Sequence, residues 1–463
     1  MDGESNHNQK VYEFDSENFL TCSKTRLSEL ISKFESNFNI KTPFYLYSKK
    51  QIISNFLEYK TSFKSLLTDQ LDVEVDISYS VKANYNPHIL KLLQSNQSWC
   101  SLVNGNELEL CLKCGFKGSN LIFNGNGKTR DEIELAVSNS CYLNVDSEFN
   151  LTDTLNICKK LNKQVNILIR VNPSIDAKVH NYLNTSIKTS KFGINLEQID
   201  DIIQIVKKNA NHLKLVGYHC HLGSTITSLD VYEKCVKCLL DLVDKTEREH
   251  EVSTIEMINI GGGLGIDYYK HALRTCQTGS ALANKLPTPY DLASSLVDHL
   301  KNKEKKLKII VEPGRSLIAN TCLLITKLLG VKTNANRNFL VVDASMSECI
   351  RPCLYQAYHH IDYIEPISEQ NKLLFDIVGP VCESGDFLGK DRFLSIPNMN
   401  ENKPIYMAIF DTGAYCGSMA SNYNMRFKPA EVLIDDLDSD SINLHLLRRA
   451  DTFDDLMHAF GKL

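Results

Sequence analysis

No apolar run in these 463 residues is long enough to cross a bilayer as a helix. The opening residues, Met1-Asp2-Gly3-Glu4-Ser5-Asn6-His7-Asn8, are acidic and polar. They lack the basic and apolar stretches of a secretory signal and the arginine content of a transit peptide, so the expected compartment is the cytoplasm. There is no basic block either: 51 Lys and Arg are outnumbered by 56 Asp and Glu, for a net charge of −5. That balance favours neither nucleic acid nor an anionic membrane surface as a partner. Two C-x-x-C pairs, Cys111/Cys114 and Cys235/Cys238, sit in amphipathic helical patterns without the strand-and-turn setting of a zinc or redox site. They read as ordinary thiols, and no metal is expected. The 15 cysteines, scattered through apolar segments, suit a reducing compartment.

What is present is an ordinary globular composition, 43% hydrophobic and 23% charged, arranged in a βα alternation. Apolar strand-like runs fall at 75–81, 99–103, 120–124, 141–145, 165–171, 213–219, 255–260 and 307–312. Helical patterns lie between them at 87–93, 106–114, 129–137, 147–161, 196–208, 229–247 and 290–302. Eight such units predict an α/β fold with a (β/α)8 TIM barrel over residues 49–320; the alternative is an open, doubly wound sheet. The Gly-, His-, Arg- and Lys-rich motifs follow the strands, where barrel enzymes keep their active sites, and this favours the barrel. After residue 320 the runs turn short and β-type (331–333, 339–343, 374–378, 405–410, 431–434). They predict a second, β-rich, sandwich- or barrel-like domain of residues 1–48 and 321–463, with Phe44-Tyr45-Leu46-Tyr47 as one of its strands. The polar stretch 271–286 reads as a surface insertion.

Four motifs carry chemistry. Ser78-Tyr79-Ser80-Val81-Lys82-Ala83-Asn84 reads as a strand ending on a lysine. Most strand-end lysines snorkel to water, but one kept in a buried site is neutral, paired or covalently used. Gly261-Gly262-Gly263-Leu264-Gly265 is either a tight turn or a bare loop whose N–H groups approach a phosphate. Gly223 and Ser224 add a second donor pair, and Arg315 supplies charge to a phosphate or a carboxylate. Glu312 closes a strand, where a buried carboxylate needs a cationic or N–H partner. A protonated pyridine nitrogen would serve, and His221, otherwise a plain loop histidine, would cover one face of the ring. An amine, phosphate donors, a pyridinium partner and a flat cover are together the needs of pyridoxal 5′-phosphate.

Tyr79–Asn84, His219-Cys220-His221-Leu222-Gly223-Ser224, the glycine run and Glu312-Pro313-Gly314-Arg315 resemble the alanine-racemase-like, fold type III decarboxylases. Ile350-Arg351-Pro352-Cys353-Leu354-Tyr355, Cys382-Glu383-Ser384-Gly385-Asp386 and the long segment from Gly413-Ala414-Tyr415 to Glu431-Val432-Leu433 narrow the resemblance to diaminopimelate decarboxylases, over roughly residues 40–460. The resemblance implies that Lys82 holds the cofactor covalently, Glu312 pairs with the ring nitrogen and His221 stacks on the ring. It implies cofactor contacts from Ser224, Gly263, Pro313, Gly314, Arg315 and Tyr415. Arg315, Arg351, Tyr355, Glu383 and Tyr415 would bind meso-diaminopimelate, and Cys382 would donate a proton to the neighbouring subunit's site in a homodimer with shared active sites. The sequence departs from the family pattern Asp-Val-Val-Ser-Gly-Gly-Glu at Ser101-Leu102-Val103-Asn104-Gly105-Asn106-Glu107, and Thr225 stands where a glutamine is common. The rival readings are an ornithine or arginine decarboxylase of the same fold, a non-catalytic pyridoxal-phosphate protein, and a single-domain racemase or cofactor carrier. The paired arginines argue against the first, the presence of Lys82 and Cys382 against the second, and the motifs beyond residue 345 against the third.

Overall fold

The computed structural model describes residues 11–176, 185, 188–275, 286–367, 371–400, 403–437 and 442–461. The chain divides into two compact units, one of residues 55–265 and 285–317, the other of 1–54, 266–284 and 318–463. No helix among the described residues is long and apolar enough to cross a membrane.

The first unit is a closed barrel. Its strands are β1 (Val75–Ser80), β2 (Trp99–Leu102), β3 (Leu121–Phe123), β4 (Tyr142–Val145), β5 (Val165–Asn172), β6 (Leu213–His219), β7 (Met257–Asn259) and β8 (Lys308–Val311). Each pairs in parallel with the next, and β8 pairs with β1. Closure excludes the open-sheet alternative. The intervening helices start on local signals: Pro87 in the first turn with Asn86 capping His88 N–H, and capping boxes at Thr129/Glu132 and Thr288/Asp291. Cys235 and Cys238 lie on one such helix and Cys111 on another, with Cys114 as its C-cap; Cys111 and Cys235 are fully buried, and the four thiols are free.

Residues two apart on a strand share a face. Trp99, Ile122, Leu168, Val216, Met257 and Ile310 form one apolar layer across the barrel. Two positions further along five of those strands come Ser101, Asn124, Arg170, Asn259 and Glu312, all buried. The barrel therefore has an apolar plug and, towards the carboxyl ends of its strands, a polar floor. The first strand is shorter than the sequence pattern predicts. It stops at Ser80, and Lys82 sits on a 3-10 turn, Val81–Ala83. Val81 and Ala83 are buried while Lys82 is exposed, so the turn aims the lysine away from the core. Ser80 ties this turn down, its N–H donating to Pro313 O (3.0 Å) and its hydroxyl to Glu312 O (2.9 Å).

The second unit is built on the long strand Cys322–Asn334, which pairs antiparallel with Phe44–Ser48, Arg337–Val342 and Tyr406–Ile409. Phe44–Ser48 pairs in parallel with Ala430–Asp435, so an amino-terminal strand lies inside a sheet of carboxy-terminal ones. Helix Leu27–Phe38 packs Leu30, Ile31 and Phe34 onto the core of that sheet. That helix, the hairpin Tyr12–Phe14/Leu20–Cys22 and strands Phe387–Ser395 and Asn443–Arg448 have no counterpart in the sequence reading. Most of the expected surface insertion at 271–286 lies outside the described residues. Its described beginning, 271–275, is mixed: Leu273 is exposed, while Ala272 and Thr275 are buried and Thr275 O accepts from Phe393 N–H at 2.6 Å.

Candidate active site

The polar floor is organised around one carboxylate. Glu312 Oε1 accepts hydrogen bonds from Ser101 Oγ (2.7 Å), Asn124 Nδ2 (3.0 Å) and Asn259 Nδ2 (2.7 Å). Asn144 Nδ2 in turn donates to Asn124 Oδ1 (2.6 Å) and to His219 Nδ1 (2.5 Å), which leaves the His219 proton on Nε2. That Nε2 lies 3.4 Å from Glu312 Oε2, too poorly aligned to be a satisfied hydrogen bond. Burial alone would raise the Glu312 carboxyl. The facing His219, with the bonds from Asn124 and Ser101, outweighs it and holds the group well below the ordinary carboxylate range. Burial pushes His219 itself down. Glu312 is thus an ionised carboxylate with one oxygen saturated and the other still able to accept.

Above this floor opens a cavity of about 420 Å³, lined among others by Lys82, Asn124, Arg170, His221 and Glu312. Lys82 Nζ has neither a hydrogen bond nor an ion pair among the described residues. His221 Nδ1 accepts from Gly262 N–H at 3.1 Å, and burial, then the nearby Lys82 and Arg170 charges, push its pKa well down. It is therefore a neutral ring, a better flat cover than a cation. The glycine run is a close-approach device. A Cβ on Gly262 would meet Glu312 O at 2.0 Å, and one on Gly263, which has φ +106°, would meet Gly223 O at 2.4 Å. Beside it Arg315 Nη2 donates to Ser224 Oγ at 3.0 Å. Arg170 pairs with Asp146 (3.4 Å) and lies over the Phe192 ring.

These groups suit pyridoxal 5′-phosphate on their own terms. Three donors converge on one oxygen of Glu312, and the remaining oxygen is the one that a protonated ring nitrogen needs. Of the residues singled out in the sequence, Lys82, His221 and Glu312 meet in the cavity wall, and Ser224 and Arg315 meet each other. Pro313 and Gly314 join Glu312 to Arg315. The Ser101 departure has a structural meaning: its hydroxyl donates to Glu312, which an aspartate would oppose. Thr225 takes a positive φ of 62° and donates to Ser224 O. His219, Asn124, Asn144 and Asn259 were not predicted as site residues. Their signal is their strand position, two residues past an apolar core position or at the strand's carboxyl end.

The remaining predicted residues lie in the other unit. Arg351 opens a short helix, Arg351–Tyr355, and is 3% exposed. Its Nη1 donates to Tyr268 Oη (3.0 Å) and His359 Nε2 (2.7 Å). Tyr355 and Tyr415 are half-buried, and Tyr415 has a positive φ of 60°. Cys382 and Glu383 are exposed, with Cys382 N–H held by Asn424 Oδ1 at 2.9 Å.

Comparison with known proteins accords with this geometry. The family described as "Pyridoxal-dependent decarboxylase, pyridoxal binding domain" matches residues 50–319, more than half of the chain, and the barrel is a pyridoxal-dependent decarboxylase barrel. A protein of Oryza sativa subsp. japonica named probable diaminopimelate decarboxylase, chloroplastic, is 41% identical over 96% of this chain and 84% of its own length. The diaminopimelate decarboxylase of Aquifex aeolicus is 38% identical, covering 89% of this chain and 90% of the relative. The crystal structure of diaminopimelate decarboxylase from Helicobacter pylori complexed with L-lysine superposes with a TM-score of 0.81 at 32% identity, over 94% of this chain and 99% of that one. The chain belongs to the diaminopimelate decarboxylase family.

Proposed function

We propose that this protein converts meso-2,6-diaminopimelate to L-lysine and CO2, the last step of lysine biosynthesis, using pyridoxal 5′-phosphate. The observation that carries the choice of substrate is Arg351. It is a permanent cation, buried, held by a phenol and an imidazole, with no carboxylate within ion-pair distance among the described residues. Burying a charge without a counter-charge is costly, and an incoming carboxylate relieves that cost. Diaminopimelate has a distal carboxylate to offer. Ornithine and arginine do not.

When bound, the cofactor supplies an electron sink for the pair left as the Cα–carboxylate bond breaks. Lys82 Nζ would hold it covalently. Glu312 Oε2 would pair with the ring nitrogen, its Oε1 pinned by Ser101, Asn124 and Asn259. His221 covers one ring face. Ser224, Gly263, Pro313, Gly314, Arg315 and Tyr415 hold the cofactor's phosphate end. Arg351 and Arg315 take the distal carboxylate, Glu383 takes the distal ammonium, and Tyr355 and Tyr415 complete the substrate contacts. Cys382 delivers the proton to Cα. In our reading it does so for the neighbouring copy in a homodimer, and its exposure suits that role. The free, buried thiols suit a reducing compartment, for which we propose the cytoplasm.

The test is product analysis with a substrate panel. Purified protein with pyridoxal 5′-phosphate should release CO2 and form lysine from meso-diaminopimelate, with little turnover of ornithine or arginine. Lys82→Ala should lose the visible absorbance of the bound cofactor. An inert diaminopimelate arm with active ornithine overturns the substrate assignment, and an unchanged Lys82→Ala spectrum overturns the anchor.

A further inference from the structure

Arg351 can act as a carboxylate receptor only if something other than a carboxylate holds its guanidinium in place. An acidic partner would fix it more tightly but would neutralise it. Its Nε has no partner, and its position rests on Nη1, which reaches Tyr268 and His359, and on the Tyr268 ring 5.0 Å from the guanidinium carbon. Tyr268 also packs edge-on against the His359 ring, with centroids 5.3 Å apart.

His359 is fully buried, and its partners settle its tautomer. Its Nδ1 lies 2.8 Å from Phe410 O, which can only accept, so Nδ1 carries the proton. Its Nε2 faces Arg351 Nη1 at 2.7 Å, which can only donate, so Nε2 offers a lone pair. The imidazole is thus a neutral acceptor for Arg351 and also a clamp on the chain segment that runs from Phe410 to Tyr415.

Cys349 Sγ and Cys416 Sγ lie 3.6 Å apart, and with His359 they form a group whose ligand atoms fall within 4.8 Å of one another. The group has the composition of a zinc site. Both His359 nitrogens are already engaged, however, and the one facing Arg351 has a permanent cation against it, which disfavours a metal ion there.

We infer that His359 is the positioning residue for Arg351: its Nε2 aims the guanidinium without neutralising it, and its Nδ1 proton couples that guanidinium to the Phe410–Tyr415 segment. The inference rests on the reading of Arg351 as the receptor for the distal carboxylate. His359 touches neither substrate nor cofactor in this scheme.

Steady-state kinetics on the pyridoxal-phosphate-loaded protein test it, with cofactor absorbance and thermal melting recorded for each variant. Losing a hydrogen bond that orients a charged group costs about 10–100-fold in affinity. His359→Ala should therefore raise KM for meso-diaminopimelate about 10–100-fold, with a smaller change in kcat and an unchanged cofactor spectrum. His359→Gln, whose side-chain oxygen can replace Nε2 as acceptor, should recover most of that loss. His359→Asn, long enough only to replace Nδ1, should not. The Gln/Asn contrast stands even if the alanine variant folds poorly. Equal KM values for the Gln and Asn variants overturn the inference, as does one equivalent of zinc in the purified protein that disappears in His359→Gln. Arg351→Ala separates the two levels. If it leaves KM and turnover unchanged, the substrate reading fails; if it raises KM while His359→Ala does not, only the role of His359 fails.

Discussion

Asp411 follows Phe410, the residue whose carbonyl His359 holds, and it has an unusual setting for a carboxylate. It is half-buried with a φ of 58°, and its pKa is raised from 3.8 to about 7. Burial is the main cause; Asp267 adds to it, while Lys270 and Arg351 pull the other way. Because the folded-state value lies above the unfolded one, the unfolded chain gives up its proton first as pH rises. The contribution of Asp411 to stability is therefore greatest below about pH 4, falls as pH climbs, and levels off above about pH 7. The ceiling is about 4 kcal/mol, roughly three pKa units at 1.36 kcal/mol each. Solvent screening of a half-buried group brings the expected figure to about 1–3 kcal/mol. Asp411→Asn removes the titration, and asparagine tolerates a positive φ, so any backbone gain is independent of pH. Thermal melting of wild type and variant, both loaded with cofactor, from pH 4.5 to 8.5 isolates the effect. With roughly 1–2 °C per kcal/mol for a chain or unit of this size, the variant should lead by about 1–5 °C at pH 8. The lead should shrink towards any constant offset at pH 4.5. Parallel curves across that range, or a variant less stable at pH 8, would refute the reasoning.

Glu312→Gln should keep its three donors satisfied through the amide oxygen and retain the cofactor. It should lower kcat about 100–1,000-fold, the usual cost of one electrostatic group acting on developing charge, in the CO2-release assay. A wild-type rate would show that Glu312 does not govern the ring nitrogen. Lys128 Nζ is buried and donates to Gly125 O (2.6 Å) and Asn144 O (2.7 Å), and burial lowers its pKa to about 7. Lys128→Met should strand those carbonyls, cost about 1–3 kcal/mol and weaken cofactor affinity through the Asn124–Gly127 wall of the cavity, measured by melting and equilibrium dialysis. Since the folded pKa is depressed, the wild type should gain stability between about pH 7 and 10 and the methionine variant should not.

The barrel was legible because each of its strands is buried on both faces and reads as an apolar run between turn signals. The runs at 213–219 and 165–171 match β6 and β5 to within a residue. The second unit was harder for physical reasons. In Asn443–Arg448 Leu444 and Leu446 alternate with Asn443 and His445, yet the buried residue is Leu447, so burial is out of step with the apolar period. Strand Phe387–Ser395 carries Gly389, Lys390 and Asp391 at its centre, where Asp391 takes a positive φ and the pairing register shifts. In Phe387–Ser395 pairing to neighbours overrides a local pattern that reads as loop.

The site divides along similar lines. Lys82, Glu312 and His221 announce themselves because an amine, an acid and an imidazole at strand ends are chemically conspicuous. Ser101, Asn124, Asn144 and Asn259 do not, since neutral residues at those positions look like weak strand residues in one dimension. They matter because closure of the barrel brings β2, β3, β4 and β7 around one point. The six-membered network of Glu312, Ser101, Asn124, Asn144, His219 and Asn259 is the result. The same logic hid His359, whose value lies in what it does not carry. An acid in its place would neutralise Arg351, whereas a neutral imidazole orients the guanidinium and leaves its charge free. Both halves of the chemistry thus depend on neutral residues that aim a charged one: amides and a hydroxyl set Glu312, and an imidazole and a phenol set Arg351. A sequence search for charged residues alone finds the two that act and misses the ones that let them act.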